Sequence, residues 1–306
     1  GRHVRPSEEN GYCFGAIVGG NYGTLSAANV EGFRRSLTIE SGVYNNIFVG
    51  SCLNTKTNVS PISTNVVIGS KKDAQTGHLE GTSDNLIISG YLTLGENENF
   101  VDNTITLGGT EYNFADIKIY SGKFTGVSGF GPTGVNGGIY IRKPNEYVQG
   151  KVKLTMLSGI VKAGTNILGG ESGGNEDPNK LLTDMIFYNG ILESGIEGGK
   201  ENVKIFGMGT QSYVGTSRVY IGGIMKINSV IKNNKGETVD VKGGVYGGIN
   251  NIAGATVSHK GTTNVIYETL EPNTKGEIFG GHLGNVVTTD GGSTSISLNG
   301  GTFYGN

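Results

Sequence analysis

Residues 237–254 read ETVDVKGGVYGGINNIAG, and this phrase sets the reading of the whole chain. An alternating run, Val239-Asp240-Val241, meets a glycine pair, Gly243-Gly244. A second apolar run, Val245-Tyr246, meets another pair, Gly247-Gly248, and then Ile249, Asn250, Asn251 and Ile252 follow. Strands of two to five residues separated by Gly and Asn leave no room for an ordinary helix of three to four turns.

The phrase recurs along the chain. It stands at 36–50 (SLTIESGVYNNIFVG), 84–95 (DNLIISGYLTLG), 115–127 (ADIKIYSGKFTGV), 152–170 (VKLTMLSGIVKAGTNILGG), 184–199 (DMIFYNGILESGIEGG), 219–230 (VYIGGIMKINSV) and 295–306 (SISLNGGTFYGN). Its corner glycine aligns at Gly42, Gly90, Gly122, Gly159, Gly190, Gly223, Gly244 and Gly301, and the middle spacings are 32, 37, 31 and 33 residues. Shorter strand phrases lie between, at 64–70, 103–109, 202–207 and 264–267. A repeat of 20–50 residues carrying several strands predicts an all-β fold, a right-handed parallel β-solenoid with short Gly/Asn corners. One coil cannot bury its inward face alone. Stacking coils hydrogen-bonds each strand to the next copy and makes a continuous narrow core, with alternate residues such as Ile117, Ile119, Val152 and Leu154 pointing inward. At roughly 20–30 residues a coil the chain would form about ten coils over about 50 Å. A β-sandwich or barrel is the competing all-β reading, but it favours hairpin turns between strands of similar length rather than one phrase repeated in order.

Composition agrees. The 306 residues include 55 glycines, 6 prolines and no tryptophan, without a Gly-X-Y period. Glycine is costly inside helices and suits left-handed corners. Net charge is −2 from 24 basic and 26 acidic residues with no like-charge block, which gives no footprint for nucleic acid or an anionic membrane. No apolar run reaches the ~20 residues of a membrane span, and no signal peptide stands at the start. Segments 51–65, 129–138, 170–184 and 233–237 read as loops leaving the coil. The division expected is an N-terminal segment or cap over 1–35 and solenoid repeats over 36–306. The sequence breaks off within a repeat, as expected of a piece of a longer solenoid or of one whose end another subunit covers.

SGVYNNIFVG, GGVYGGINN and NGGTFYGN resemble the Gly-rich coils of parallel β-solenoids in large bacterial surface and secreted proteins, over residues 37–306. The resemblance implies a secreted or cell-surface location and a role in adhesion or fibre formation, and brings no catalytic residues with it.

Candidate sites are few. The rival class is a β-helix enzyme acting on polysaccharides, with a cleft built by loops near 129–138 and 170–184. Glycoside cleavage needs two facing carboxylates. The chain lacks the Asp-Asp and Arg-Ile-Lys motifs of galacturonan hydrolases, and no spacing singles out Glu171, Asp184, Glu193 or Glu197, which read as solvated outward carboxylates. His3, His78, His259 and His282 show no metal-ligand spacing, and His282, after a Gly-Gly corner, reads as an exposed turn residue. GGESGGNED at 169–177 lacks the repeated calcium-binding nonapeptide and reads as a loop. No phosphate-cradling loop is present, so no cofactor is expected. Cys13 and Cys52, 39 residues apart, stack in neighbouring coils as a disulfide or stand as two buried thiols. Tyr44, Tyr120, Tyr188, Tyr220 and Tyr246 recur beside corners, either as an exposed aromatic stripe for sugar or protein or as packing between coils. The expected function is structural or adhesive, with self-association and contact with a glycan or host-surface protein; the alternatives are the polysaccharide enzyme and a trimeric phage tailspike segment.

Overall fold

A computed structural model of the chain describes residues 14–18, 33–48, 62–71, 86–88, 91–93, 104–107, 110–113, 115–124, 138–140, 150–161, 166–169, 181–193, 204–209, 212–228, 230–232, 238–240, 243–251, 255–268, 276–289 and 292–300. Every regular element of two or more described residues is a β-strand. Eight strands form one wholly parallel sheet in chain order: Phe33–Ile39, Ile62–Ile68, Ala115–Ile119, Gly150–Met156, Leu181–Phe187, Thr216–Ile221, Thr262–Tyr267 and Ser293–Leu298. Each opens one turn of the chain, hereafter coils 1 to 8. Consecutive parallel strands hydrogen-bonded in sequence order, each reached by a long crossover, define a parallel β-solenoid.

Two further parallel ladders share the strand Gly42–Phe48 of coil 1. Its first half continues through Leu86–Ile88, Lys123–Phe124, Ile160–Val161, Ile191–Glu193 and Lys226–Asn228. Its second half continues through Tyr91–Thr93, Gly138–Tyr140, Asn166–Leu168, Lys204–Phe206, Gly243–Tyr246 and Gly276–Phe279. A strand from the N-terminal segment, Phe14–Val18, also pairs in parallel with Gly42–Phe48. From coil 5 onward the coil widens, and Tyr213–Val214, Val257–Lys260 and Val286–Thr288 make an extra ladder.

Two inward columns of the long sheet supply the core. One runs Val66, Ile117, Leu154, Met185, Val219, Val265; the other runs Ile39, Ile68, Ile119, Met156, Phe187, Ile221, Tyr267, all buried. Facing them are Leu86, Ile88, Leu92, Phe124, Val161, Ile167, Leu192, Ile205 and Val245 from the other two ladders. Each such side chain contributes roughly 1.5–3 kcal/mol of burial, available only because coils stack.

Residues in the second column are spaced by 29, 51, 37, 31, 34, 46 and 31 positions. The two long intervals carry antiparallel hairpins, Thr104–Leu107 with Thr110–Asn113 and Val230–Lys232 with Thr238–Asp240. Coils are therefore longer than the 20–30 residues first expected. The eight described coils extend about 35 Å rather than about 50 Å, taking ~4.8 Å per parallel strand. The same hairpins correct two local readings: the alternation at Val239-Asp240 and the phrase at 103–109 lie outside the parallel coil. The expected loops at 51–65 and 170–184 end in strand, from Ile62 and Leu181.

The corner between the long sheet and the first ladder is a Ser-Gly or Asn-Gly pair. Gly42, Gly122, Gly159 and Gly190 adopt φ of 121°, 124°, 112° and 127°, a region open to glycine. Gly223 turns coil 6 at φ 55°. Gly244 is not a corner but lies inside the strand Gly243–Tyr246, and Gly90 and Gly301 lie outside the described residues. The second corner is a ladder of stacked backbones, Gly169, Gly207, Gly247 and Gly280. A Cβ on any of the first three would overlap the carbonyl of the next. Buried Ser217 and Thr263 donate hydroxyl hydrogen bonds to the carbonyls of Gly247 and Gly280, so this crowded corner is satisfied from within.

Candidate functional site

The outer face of the long sheet carries a line of side chains along the stack. Tyr120, Leu157, Tyr188, Gly222, Glu268 and Asn299 each follow a strand of this sheet. Each donates its N–H one coil back, to the carbonyls of Ile68, Ile119, Met156, Phe187, Ile221 and Tyr267, at 2.7–2.9 Å. These six positions therefore superpose coil upon coil. Tyr188 is 47% exposed. Gly222 leaves its place to a neighbour's ring: a Cβ there would run into Tyr220, whose ring lies across it. The Tyr188 and Tyr220 rings are nearly parallel, 14° between planes with centroids 6.4 Å apart. The Tyr220 hydroxyl donates to Glu268 Oε1, which with burial pushes its pKa up to about 12. Asn299 Nδ2 donates to Glu268 Oε2 at 3.4 Å. Tyr120 and Tyr188 thus fall on one outward line, and the ring of Tyr220, whose backbone is in register with Ile186, reaches it by covering Gly222. Tyr44 and Tyr246 lie inside, each folded back over the glycine two residues earlier, Gly42 and Gly244. Tyr246 is sandwiched between Phe206 and Phe279 at 4.8 and 5.1 Å.

Beside this line runs a column of charge: Asp116, Lys153, Asp184 and Arg218 are consecutive cross-strand neighbours of alternating sign. Asp184 is fully buried and accepts a bidentate pair from Arg218, Nε to Oδ1 at 2.8 Å and the second bond at 2.5 Å. The reading of Asp184 as a solvated carboxylate is therefore corrected.

A histidine pair forms between the end of coil 6, which carries His259, and coil 7, which carries His282. His259 is buried, stands in register with Tyr213, and has Nε2 3.4 Å from the Gly215 carbonyl; its Nδ1 has no hydrogen-bond partner among the described residues. His282 is half-buried, not an exposed turn residue. The corner Gly280-Gly281 turns it beneath Gly248, where there is no room for a Cβ, and its Nδ1 accepts from the Ile249 N–H at 2.9 Å. The two rings meet edge to face at 4.7 Å. No spacing in the sequence announced this pair, since 23 residues and most of a coil separate them. Burial lowers the pKa of both. His282 is pushed down to about 4, by burial first and then by the charge of His259. Because the folded value lies below the ordinary ~6.5, the unfolded chain takes up more protons between about pH 6.5 and 4. Stability contributed by neutral His282 is thus present above pH 6.5 and lost as pH falls through that window. The half-buried site is partly screened, so the loss is on the order of 1–2 kcal/mol. Urea midpoints at pH 7.5 and 4.5 should differ less for His282→Asn than for the wild type; an unchanged difference would remove His282 as the cause.

Coil 8 ends the described stack. Ile296 and Leu298, in register with buried Val265 and Tyr267, are 44% and 55% exposed, and Phe279 and Val287 in coil 7 are exposed as well. Among the described residues the outer edge of Ser293–Leu298 has no partner strand. Cys13, Cys52, His3, His78, Glu171 and Glu197 lie outside the described residues, as does all of 169–177 except Gly169. Among the described residues no three His, Cys, Asp or Glu side chains gather as metal ligands. No family model, curated protein or solved structure matches the chain.

Proposed function

We propose that the chain is a structural, adhesive β-solenoid of a bacterial exported protein, which associates end to end and presents its long flat sheet to a surface or partner. The observation that carries this reading is coil 8. Its apolar positions continue the two core columns but are exposed, and among the described residues its outer strand edge has no partner. An exposed edge with apolar alternation is a template for another strand. Covering it with a further coil would bury Ile296 and Leu298 as Val265 and Tyr267 are buried one coil earlier. The contact is heterologous and propagates into a filament if a second copy presents its coil 1, or closes as a dimer if two coils 8 meet. The resemblance of the repeated phrases to surface and secreted solenoids supports the extracellular setting.

The test is sedimentation velocity and electron microscopy over a concentration series. Ser293 and Asn299 donate their N–H groups back to coil 7, so by alternation the Thr294 N–H faces the open edge. Thr294→Pro should remove that outward donor without breaking the coil 7 pairing, and should shift assemblies to monomers. Monomers alone at every concentration in the wild type would refute end-to-end association.

A further inference from the structure

We infer that the outward line Tyr120, Leu157, Tyr188 and Tyr220 is a binding track for an extended, uncharged polysaccharide lying along the solenoid axis. This names a partner for the adhesive part of the proposed function, and it does not depend on whether the ends associate. The backbone register already described places Tyr120, Leu157, Tyr188 and Gly222 on four successive coils, 3 to 6, and the Tyr220 ring covers Gly222, so the track extends roughly 15 Å at ~4.8 Å per step. A compact ligand would meet only one or two of them; a linear polymer meets all.

The chemistry of the line narrows the polymer. Tyr220 is laid flat by the missing Cβ of Gly222, and Tyr188, half open to solvent, is within 14° of parallel to it. Flat ring faces match the apolar face of a pyranose. At the next coil the carboxylate of Glu268 is fixed by Tyr220 and Asn299, and it offers a hydrogen-bond acceptor to sugar hydroxyls. That same carboxylate, with no lysine or arginine in the line, disfavours polyanions. Lys118 and Arg218 on the same face are already paired with Asp116 and Asp184, so nucleic acid and uronic acid chains would find little positive charge left to neutralise theirs. A peptide strand is disfavoured for a different reason: the backbone under the track is already hydrogen-bonded between coils and offers no free edge for strand addition.

The experiment is calorimetric titration of the full chain with cellohexaose, laminarihexaose and mannohexaose, and with hexagalacturonate as the acidic probe. At least one neutral hexasaccharide should bind and the acidic one should not. Tyr188→Ala should weaken binding about tenfold or more, the scale of losing one aromatic stacking platform, while Tyr188→Phe stays within about threefold. Both variants should keep the wild-type urea midpoint. Thr294→Pro should bind as the wild type does, which separates this proposal from end-to-end association. Binding of no neutral glycan, equal or tighter binding of hexagalacturonate, or unchanged affinity in Tyr188→Ala would each overturn it. So would a change of oligomeric state in Tyr188→Ala without sugar, which would assign the track to a protein contact.

Discussion

Gly207→Ala should destabilise the solenoid by about 3–5 kcal/mol, although it adds a single methyl group. Gly207 sits in the middle of the stacked glycine corner. A Cβ there would overlap the Gly247 carbonyl one coil on, and would also lie 2.7 Å from Ser217 Oγ and 2.9 Å from Ser217 Cβ. None of these is the movable end of a long side chain. Two of them, Gly247 O and Ser217 Oγ, hold the corner through their own hydrogen bond, and the adjacent Gly207 N–H donates to Tyr246 O at 2.9 Å. Relief requires the coils to separate locally, which sacrifices buried hydrogen bonds on top of the overpacking term. Gly281→Ala is the matched control. A Cβ there would only touch Thr294 Cγ2 at 3.4 Å, an ordinary contact, so the change should stay within about 0.5 kcal/mol. Urea unfolding followed by circular dichroism measures both. Similar midpoints for the two variants would show that the glycine ladder is not a packing constraint.

That contrast also marks what the sequence could and could not disclose. Gly280-Gly281 and Gly247-Gly248 look like interchangeable doublets in the chain. In each, the first residue is packed against a neighbouring coil, and the second is confined only by whatever the next coil places there: His282 for Gly248, little for Gly281. Which glycine is constrained depends on inter-coil register, and one coil's sequence does not contain it. The parallel architecture was legible because alternation such as Val66 and Ile68 or Ile117 and Ile119 recurs with the corner that follows it. The Ser-Gly and Asn-Gly corners at Gly42, Gly122, Gly159 and Gly190 were legible for the same reason, since their φ demands glycine locally. The repeat length was not, because the hairpins over 104–113 and 230–240 use the same strand-forming residues as the coil and differ only in folding back on themselves. The tyrosines show the limit most clearly. Tyr44 and Tyr188 both stand next to a corner in the sequence, but Tyr44 follows its glycine by two residues, folds over it and gives its hydroxyl proton to the Ser41 carbonyl at 2.7 Å. Tyr188 precedes its corner and stays outside.

Arg218→Met should cost about 2–3 kcal/mol at neutral pH, a large effect for an arginine on an outer face. Its side chain is 42% exposed, which for an ordinary surface pair would make the loss small. The partner decides otherwise. Asp184 is 0% exposed in mid-sheet and takes both guanidinium bonds, so the substitution removes two charge-assisted hydrogen bonds from a carboxylate that water does not reach. Arg218→Lys should recover less than half, because an ammonium cannot supply the paired geometry. Asp184→Asn combined with Arg218→Met should be more stable than Arg218→Met alone, since the buried charge has gone along with its partner. Urea midpoints of the single and double variants form the cycle. If the double variant loses the sum of the two singles, the pair is not coupled. The alternating column Asp116, Lys153, Asp184, Arg218 would then not be what holds the coils in register. If the double variant recovers stability, the column acts as a register device: a slip of one residue along any of these strands would move its charge away from its partners and its apolar columns out of the core together.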